Sequence, residues 1–277
     1  MFYEWVTGGI SIKRLIRLSK TDISSRQLIR YFQAFLDHKP QPKRPDTPRE
    51  INLKCDAKYF GRFGCTIVFK ERGNIIFWYY TVRENYTNYL YCFSKLGELG
   101  YAVKSVTSDK HGSFLSAVKT RYPNIHHQHC LVHIQMRCKT LLTLHPETQA
   151  GIKLLEISRH LNQIKTIEEK QVFLNWFKLF GEEYKEILTS RTYNKDPNSN
   201  KKWWYTHKNL RLAFNAVKSS LNNMFFYLED SSIPKDTNGL EAEFTHLKQK
   251  LNMHRGLSRE RRENFVAWYW YLKSRGK

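Results

Sequence analysis

The chain has 277 residues, 41% of them hydrophobic and 26% charged, proportions of a globular protein with a real core and not of a disordered or fibrous one. Its 46 Lys and Arg against 25 Asp and Glu leave a net charge of +21, spread along the whole length, a field that favours a polyanion and nucleic acid above a membrane surface. There is no apolar run of about 18 residues to span a bilayer and no signal peptide at Met1, and five cysteines without scaffold-like spacing suit free thiols in a reducing cytoplasm.

Residues 1–38 read as a small helical unit. Phe2, Tyr3, Trp5 and Val6 form an apolar cluster that Gly8-Gly9 ends. Ser11 can cap a helix carrying Ile12, Leu15, Ile16 and Leu18, and Ser24 can cap another carrying Leu28, Ile29, Phe32, Phe35 and Leu36. Two short helices around the turn Thr21-Asp-Ile-Ser24 resemble a helix-turn-helix, in which Ser25, Arg26, Gln27 and Arg30 face the major groove or its phosphates. An ordinary helical hairpin with a solvated basic face is the alternative. Residues 39–50 hold four prolines and several charges and read as a semi-extended linker.

The character changes at Ile51. Ile51-Asn-Leu-Lys-Cys-Asp56 alternates as a half-buried strand ending at an aspartate, Cys65–Phe69 is a second strand, Glu71-Arg-Gly-Asn74 a hairpin turn and Ile75–Thr81 a third strand. A helix with Tyr86, Leu90, Phe93 and Leu96 on one face follows. A fourth strand, 102–109, again runs to an aspartate. His111-Gly112 leads into a helix to Arg121, Asn124–His129 is a short fifth strand, and Cys130 opens a helix to about Leu142. Three meander strands followed by alternation predict an α/β class with a mixed sheet, the first part of a core over 51–139.

Residues 140–230 contain no convincing strand and read as an all-helical insertion, with apolar stripes through Leu154, Val172, Phe177, Leu210 and Val217. Trp203 and Trp204 lie among Lys201, Lys202, His207 and Lys208. Aromatics among cations can stack on unpaired bases, whereas aromatics in a helical lobe are more often core. One of the pair is expected in each role without the sequence fixing which, and Trp204 is carried as the DNA candidate. Residues 231–277 return to the core. Pro234 and Asp236-Thr-Asn-Gly239 are loop and cap chemistry. Leu240, Phe244, Leu247 and Leu251 then put Glu241 in the first turn of a helix. A basic helix with internal aromatics over 259–272 closes the chain.

Asp56 and Asp109 at strand ends and Glu241 at a helix start form a set of hard oxygen donors. Two Mg²⁺ or Mn²⁺ ions, about 4 Å apart, can clamp the attacking and leaving oxygens of a phosphodiester, and Mg²⁺ needs few protein ligands because it keeps its waters. Each carboxylate alone would pass for a surface charge or cap. Their joint placement in so basic a chain points to a two-metal site with Asp56 bridging.

The motifs Leu53-Lys-Cys-Asp56, Ser108-Asp109-Lys-His-Gly112, His129-Cys130-Leu-Val-His133, Trp203-Trp-Tyr-Thr-His207, Thr237-Asn-Gly-Leu-Glu241 and Asn252-Met-His-Arg-Gly-Leu-Ser258 resemble those of bacterial insertion-sequence transposases of the DDE type, the Mutator-like group with a helical insertion. The resemblance covers roughly residues 50–275. It implies a ribonuclease H-like fold with Asp56, Asp109 and Glu241 as catalytic metal ligands. Glu243 is a rival that the Thr-Asn-x-x-Glu spacing sets aside. The Cys-x-x-His element makes His133 a residue that positions scissile DNA or orders the active-site edge, with Cys130 and Asn238 in support and Lys248 and Arg255 as further DNA contacts. Although His126, His127 and His129 are near, no second pair stands at zinc-finger spacing, so a structural zinc is not expected. The zinc ribbon that often precedes the helix-turn-helix in that family has no counterpart in these residues. The activity implied is cleavage at the 3′ ends of an element and strand transfer. It would act on double-stranded terminal inverted repeats and target DNA, as a homodimer or larger synaptic complex, in the bacterial cytoplasm. A nuclease that only hydrolyses, and a DNA-binding protein without chemistry, are the competing functions.

Overall fold

The computed structural model describes every residue except Pro197, Arg255, Gly276 and Lys277. A π-helical turn, Glu4–Gly8, precedes α1 (Ile12–Ser19) and α2 (Ser25–Leu36). Both expected caps form: Ser11 Oγ accepts from the Arg14 amide at 3.4 Å and Ser24 Oγ from the Gln27 amide at 3.2 Å. Next come β1 (Arg49–Tyr59), β2 (Cys65–Glu71) and β3 (Asn74–Thr81). The two-residue turn between β2 and β3 has φ of 42° at Arg72 and 87° at Gly73, the positive values such a turn demands. The order continues α3 (Tyr86–Glu98), β4 (Tyr101–Ser108), α4 (Gly112–Arg121), β5 (His126–His129), α5 (Leu131–Leu142), α6 (Gln149–His160), α7 (Ile167–Glu183), α8 (Lys185–Thr189), β6 (Arg191–Tyr193), β7 (Trp203–Tyr205), α9 (Lys208–Lys218), α10 (Phe226–Glu229), α11 (Asn238–Met253) and α12 (Arg259–Arg275).

The main sheet has the order β3-β2-β1-β4-β5. β2 is antiparallel to both neighbours. β1 and β4 run parallel, because their contacts climb both strands in one sense: the Arg49 amide bonds the Gly100 carbonyl at 3.0 Å, and Ser105 Oγ donates to Asn52 Oδ1 at 2.7 Å. The protein is therefore a mixed α/β fold, as expected. β1 differs from expectation at both ends. β1 does not stop at Asp56, since Ala57, Lys58 and Tyr59 go on pairing with Ile67, Thr66 and Cys65. It also begins at Arg49, inside the expected linker.

The chain divides into two compact units, residues 1–106, 110–125 and 237–277 in the first and residues 107–109 and 126–236 in the second. In the first, alternation along β1 separates two sheet faces. Leu53, Cys55, Ile67, Phe69 and Phe77 pack against Tyr89 and Phe93 of α3 and Phe114 and Val118 of α4. Val68, Trp78 and Tyr80 pack against Leu240, Phe244 and Leu247 of α11 and Phe265, Tyr269 and Trp270 of α12. The N-terminal helices join this second cluster through Val6 and Leu36. The Asn264 side chain donates to the Leu36 carbonyl at 2.8 Å, Trp268 Nε1 donates to the Phe35 carbonyl at 2.8 Å, and Arg261 meets Asp37 at 2.9 Å.

The second unit has its own core, built by Leu131, Ile134 and Cys138 of α5, Leu154 of α6, Phe173 and Phe177 of α7, and Leu210 and Val217 of α9. It is not all-helical. β6 and β7 pair as a ribbon, Thr192 opposite Trp204 and Tyr193 opposite Trp203. Threonine and aromatic side chains on either side of a polar loop favour that pairing over a helix. Among the described residues no helix is long and apolar enough to cross a membrane.

Candidate functional site

Asp56 lies half-buried within β1, opposite Val68 of β2. Cross-strand partners point to one face, so Asp56 shares the face that α11 covers. Two residues along, Lys54 faces Lys70. Lys70 is buried, 7% exposed, and its ammonium donates to the Gly239 carbonyl at 3.2 Å in the first turn of α11. A Cβ on residue 239 would stand 3.3 Å from that ammonium, so glycine keeps the approach open. The start of α11 is thereby tied to the strand beside Asp56. The buried stripe Leu240, Phe244, Leu247 and Leu251 sets the rotation of the helix and leaves Glu241 half-buried at its edge, with Asn238 exposed three residues earlier.

The rival carboxylate is engaged elsewhere. Glu243 Oε2 lies 3.3 Å from the Tyr269 hydroxyl and 3.4 Å from Lys273 Nζ, both on α12. Burial, then the Glu243 charge, pushes the Tyr269 phenol well above its usual value, so it stays a neutral donor. Glu243 thus joins α11 to α12.

Asp109 follows the last residue of β4, and its backbone is held by buried neighbours of the second unit. The Ser108 carbonyl accepts from the Cys130 amide at 2.8 Å. The Ser108 hydroxyl donates to the Asp109 carbonyl at 2.7 Å and stands 2.8 Å from His127 Nε2. Thr107 Oγ1 donates to the Pro234 carbonyl at 2.6 Å. Burial pushes the His127 imidazole down to about 4, so it is neutral at physiological pH. Cys130, 1% exposed, is the N-cap residue of α5, and the half-buried His133 lies in the first turn of that helix.

Of the expected nucleic-acid contacts, Ser25, Arg26, Gln27 and Arg30 are all exposed on α2, and Lys248 is exposed on α11. Arg255 lies outside the described residues. Neither tryptophan is core, contrary to the division expected: Trp203 is 36% and Trp204 38% exposed. Each sits on the β6–β7 ribbon under a cation, Arg191 at 4.1 Å from the Trp203 ring centre and Lys201 at 5.5 Å from that of Trp204. Three-residue strands cannot bury both of their faces, so alternation put one ring on each side and both stayed accessible.

Sequence reasoning missed Lys70 and read Gly239 as loop and cap chemistry, not as the partner of a buried lysine. One signal was available: a lysine interrupting the apolar run of β2. Among the described residues no group of three His, Cys, Asp or Glu side chains is gathered into a metal cluster. The candidate ligands are all carboxylates, a donor set that suits Mg²⁺ or Mn²⁺ and not zinc. No family model matches the chain, and no curated protein matches it significantly.

Proposed function

We propose that the protein is a DNA transposase of the DDE type, with Asp56, Asp109 and Glu241 as the ligands of two Mg²⁺ or Mn²⁺ ions. The observation that carries the reading is a spacing. Asn52 and Ser105, 53 residues apart, touch across the parallel strands β1 and β4, and Asp109 follows Asp56 by the same 53 residues. The first unit adds that α11 covers the sheet face bearing Asp56 and carries Glu241 in its first turn. A mixed sheet with helices on both faces is compatible with the ribonuclease H-like fold that the sequence resemblance implies.

Mg²⁺ is commonly held by one or two carboxylates and substrate phosphates, so the protein need not present a closed cage before DNA arrives. When bound, the metal would stabilise charge on the attacking and leaving oxygens of a phosphodiester. The residues of the chain supply the rest. Lys70 and Gly239 fix the start of the Glu241 helix, and the Ser108–His127 contact and the Cys130 amide fix the backbone at Asp109. The exposed residues of α2, with Lys248 and the Trp203–Trp204 ribbon, offer cations and rings to DNA. In this reading the working form is a homodimer or larger synaptic complex on terminal inverted repeats and target DNA, in a bacterial cytoplasm.

The test uses purified protein, labelled duplex carrying candidate element ends, and Mg²⁺ or Mn²⁺. Metal-dependent nicking and strand joining are expected, both lost in Asp56→Ala, Asp109→Ala and Glu241→Ala while binding persists. Nicking without joining would replace the transposase with a hydrolytic nuclease. Tight binding without chemistry would leave a DNA-binding protein.

A further inference from the structure

At the amino-terminal ends of β1, β3 and β4 lies a cavity of 370 Å³. It is in the first unit, at the opposite pole of the sheet from Asp56: Arg49 opens β1 and Asp56 comes seven residues later, a rise of about 23 Å. Four cations from three parts of the chain line it. Lys43 and Arg44 come from the proline-rich segment, Arg49 from β1 and Arg275 from the end of α12. The lining carboxylate, Asp46, stands 3.7 Å from Lys43, both side chains being open to water, a pairing of small worth. Arg49 is held in place by Glu71 at 3.1 Å, which also meets Arg72 at 3.3 Å, and by the Tyr101 ring at 5.7 Å. Arg275 donates to the Tyr271 hydroxyl. Pro42, Pro45 and Pro48 restrict the backbone that carries Lys43 and Arg44, which lowers the entropy lost on holding a ligand there.

We propose that this cavity binds the phosphodiester backbone of duplex DNA, as a second contact remote from the carboxylates. The proposal rests on the reading of the chain as a DNA-acting protein. The aromatic residues in the wall decide the kind of contact. Trp78 is 5% and Tyr101 7% exposed, so no ring face is open for a base to stack on. Beside a buried floor of Ile75 and Ile76, what the cavity offers a ligand is charge. Such a site holds phosphates without reading sequence, which is what target DNA requires and what terminal-repeat recognition does not.

The experiment measures binding of the full chain to a fluorescent duplex of arbitrary sequence between 50 and 200 mM salt, by anisotropy. Each phosphate contact contributes about 0.9 to the slope of log K against log salt. Arg44→Ala with Arg275→Ala should flatten that slope by about 1.8, equally on two unrelated sequences. Lys178→Ala with Lys185→Ala, an equal charge removal in the second unit, should leave it unchanged. An unchanged slope in the first variant overturns the cavity while leaving the DNA reading intact. Equal flattening by both variants also overturns it, because net charge alone would then account for the effect. Stabilisation of the wild type, but not of the variant, by inorganic phosphate with no change in the DNA slope would make it a free-phosphate site instead. Absence of salt-dependent duplex binding by the wild type would defeat the functional reading itself.

Discussion

Glu241 and Glu243 are two residues apart on α11, about 200° around the helix, and substitution should separate their roles. Glu243→Gln weakens contacts to Tyr269 and Lys273 and should lower stability by about 1 kcal/mol in urea titration with chemistry retained. Glu241→Gln should leave the melting temperature in place and lower metal-dependent cleavage by more than the roughly 10–100-fold that an outer-shell residue is worth. Loss of cleavage in Glu243→Gln with Glu241→Gln active would reverse the assignment. Lys70→Met removes the donor to the Gly239 carbonyl. It should raise the Mn²⁺ concentration needed for half-maximal cleavage without changing DNA affinity, whereas a merely structural lysine would move the melting temperature alone. His127 sets a pH dependence. Its folded value is held down near 4 by burial, while an unfolded histidine titrates near 6.5. The unfolded chain therefore binds the extra proton between those values. The stability that His127 supports is whole above about pH 6.5 and is lost as pH falls toward 4. Between pH 7.5 and pH 5 the loss should be roughly 2 kcal/mol, and His127→Gln should remove that part of the dependence, read from urea midpoints at the two pH values. His254, also held down to about 4 by burial between Trp5 and Phe265, leaves a remainder in the variant.

Elements with local causes were legible in the sequence. Ser11 and Ser24 announced helix starts because a cap needs only the next three residues, and Arg72-Gly73 announced a hairpin because positive φ is a single-residue property. The stripe from Leu240 to Leu251 put Glu241 in a first helical turn by spacing alone. What depended on a distant partner was not legible. β1 continues past Asp56 because β2 is there to pair with it. The Lys70–Gly239 clamp joins positions 169 residues apart. Three-residue strands such as β6 and β7 carry too little pattern to outweigh helical surroundings. The N-terminal helices are the largest such case. They read as a separable module, yet their last turn and the residues after it are bonded to Asn264, Trp268 and Arg261 of α12. Deleting residues 1–38 should therefore lower the melting temperature and expose apolar surface to a hydrophobic dye. A shortened chain that melts at the same temperature would show the helices to be an independent module after all.

The two units draw on the chain differently. The first is assembled from three separate segments, whereas almost all of the second is one continuous run, residues 126–236. The core residues of that run extend from Leu131 to Phe225 and need nothing outside it. Charge divides along the same line. Residues 126–236 hold 16 Lys and Arg against 11 Asp and Glu, only +5 of the chain's +21. A segment with a self-contained core should fold by itself, and one with so small a share of the charge should hold DNA weakly. Expressed alone, residues 126–236 should give a helical circular-dichroism spectrum and one cooperative thermal transition. Its binding to duplex DNA should show a markedly shallower salt slope than that of the full chain. The two readouts are separable. A fragment without a cooperative transition would mean that β5 and α5 need the rest of the sheet to fold. A folded fragment with the full salt slope would move the DNA-binding surface to the insertion, where the Trp203–Trp204 ribbon and its cations lie, and away from the strand pole and α2.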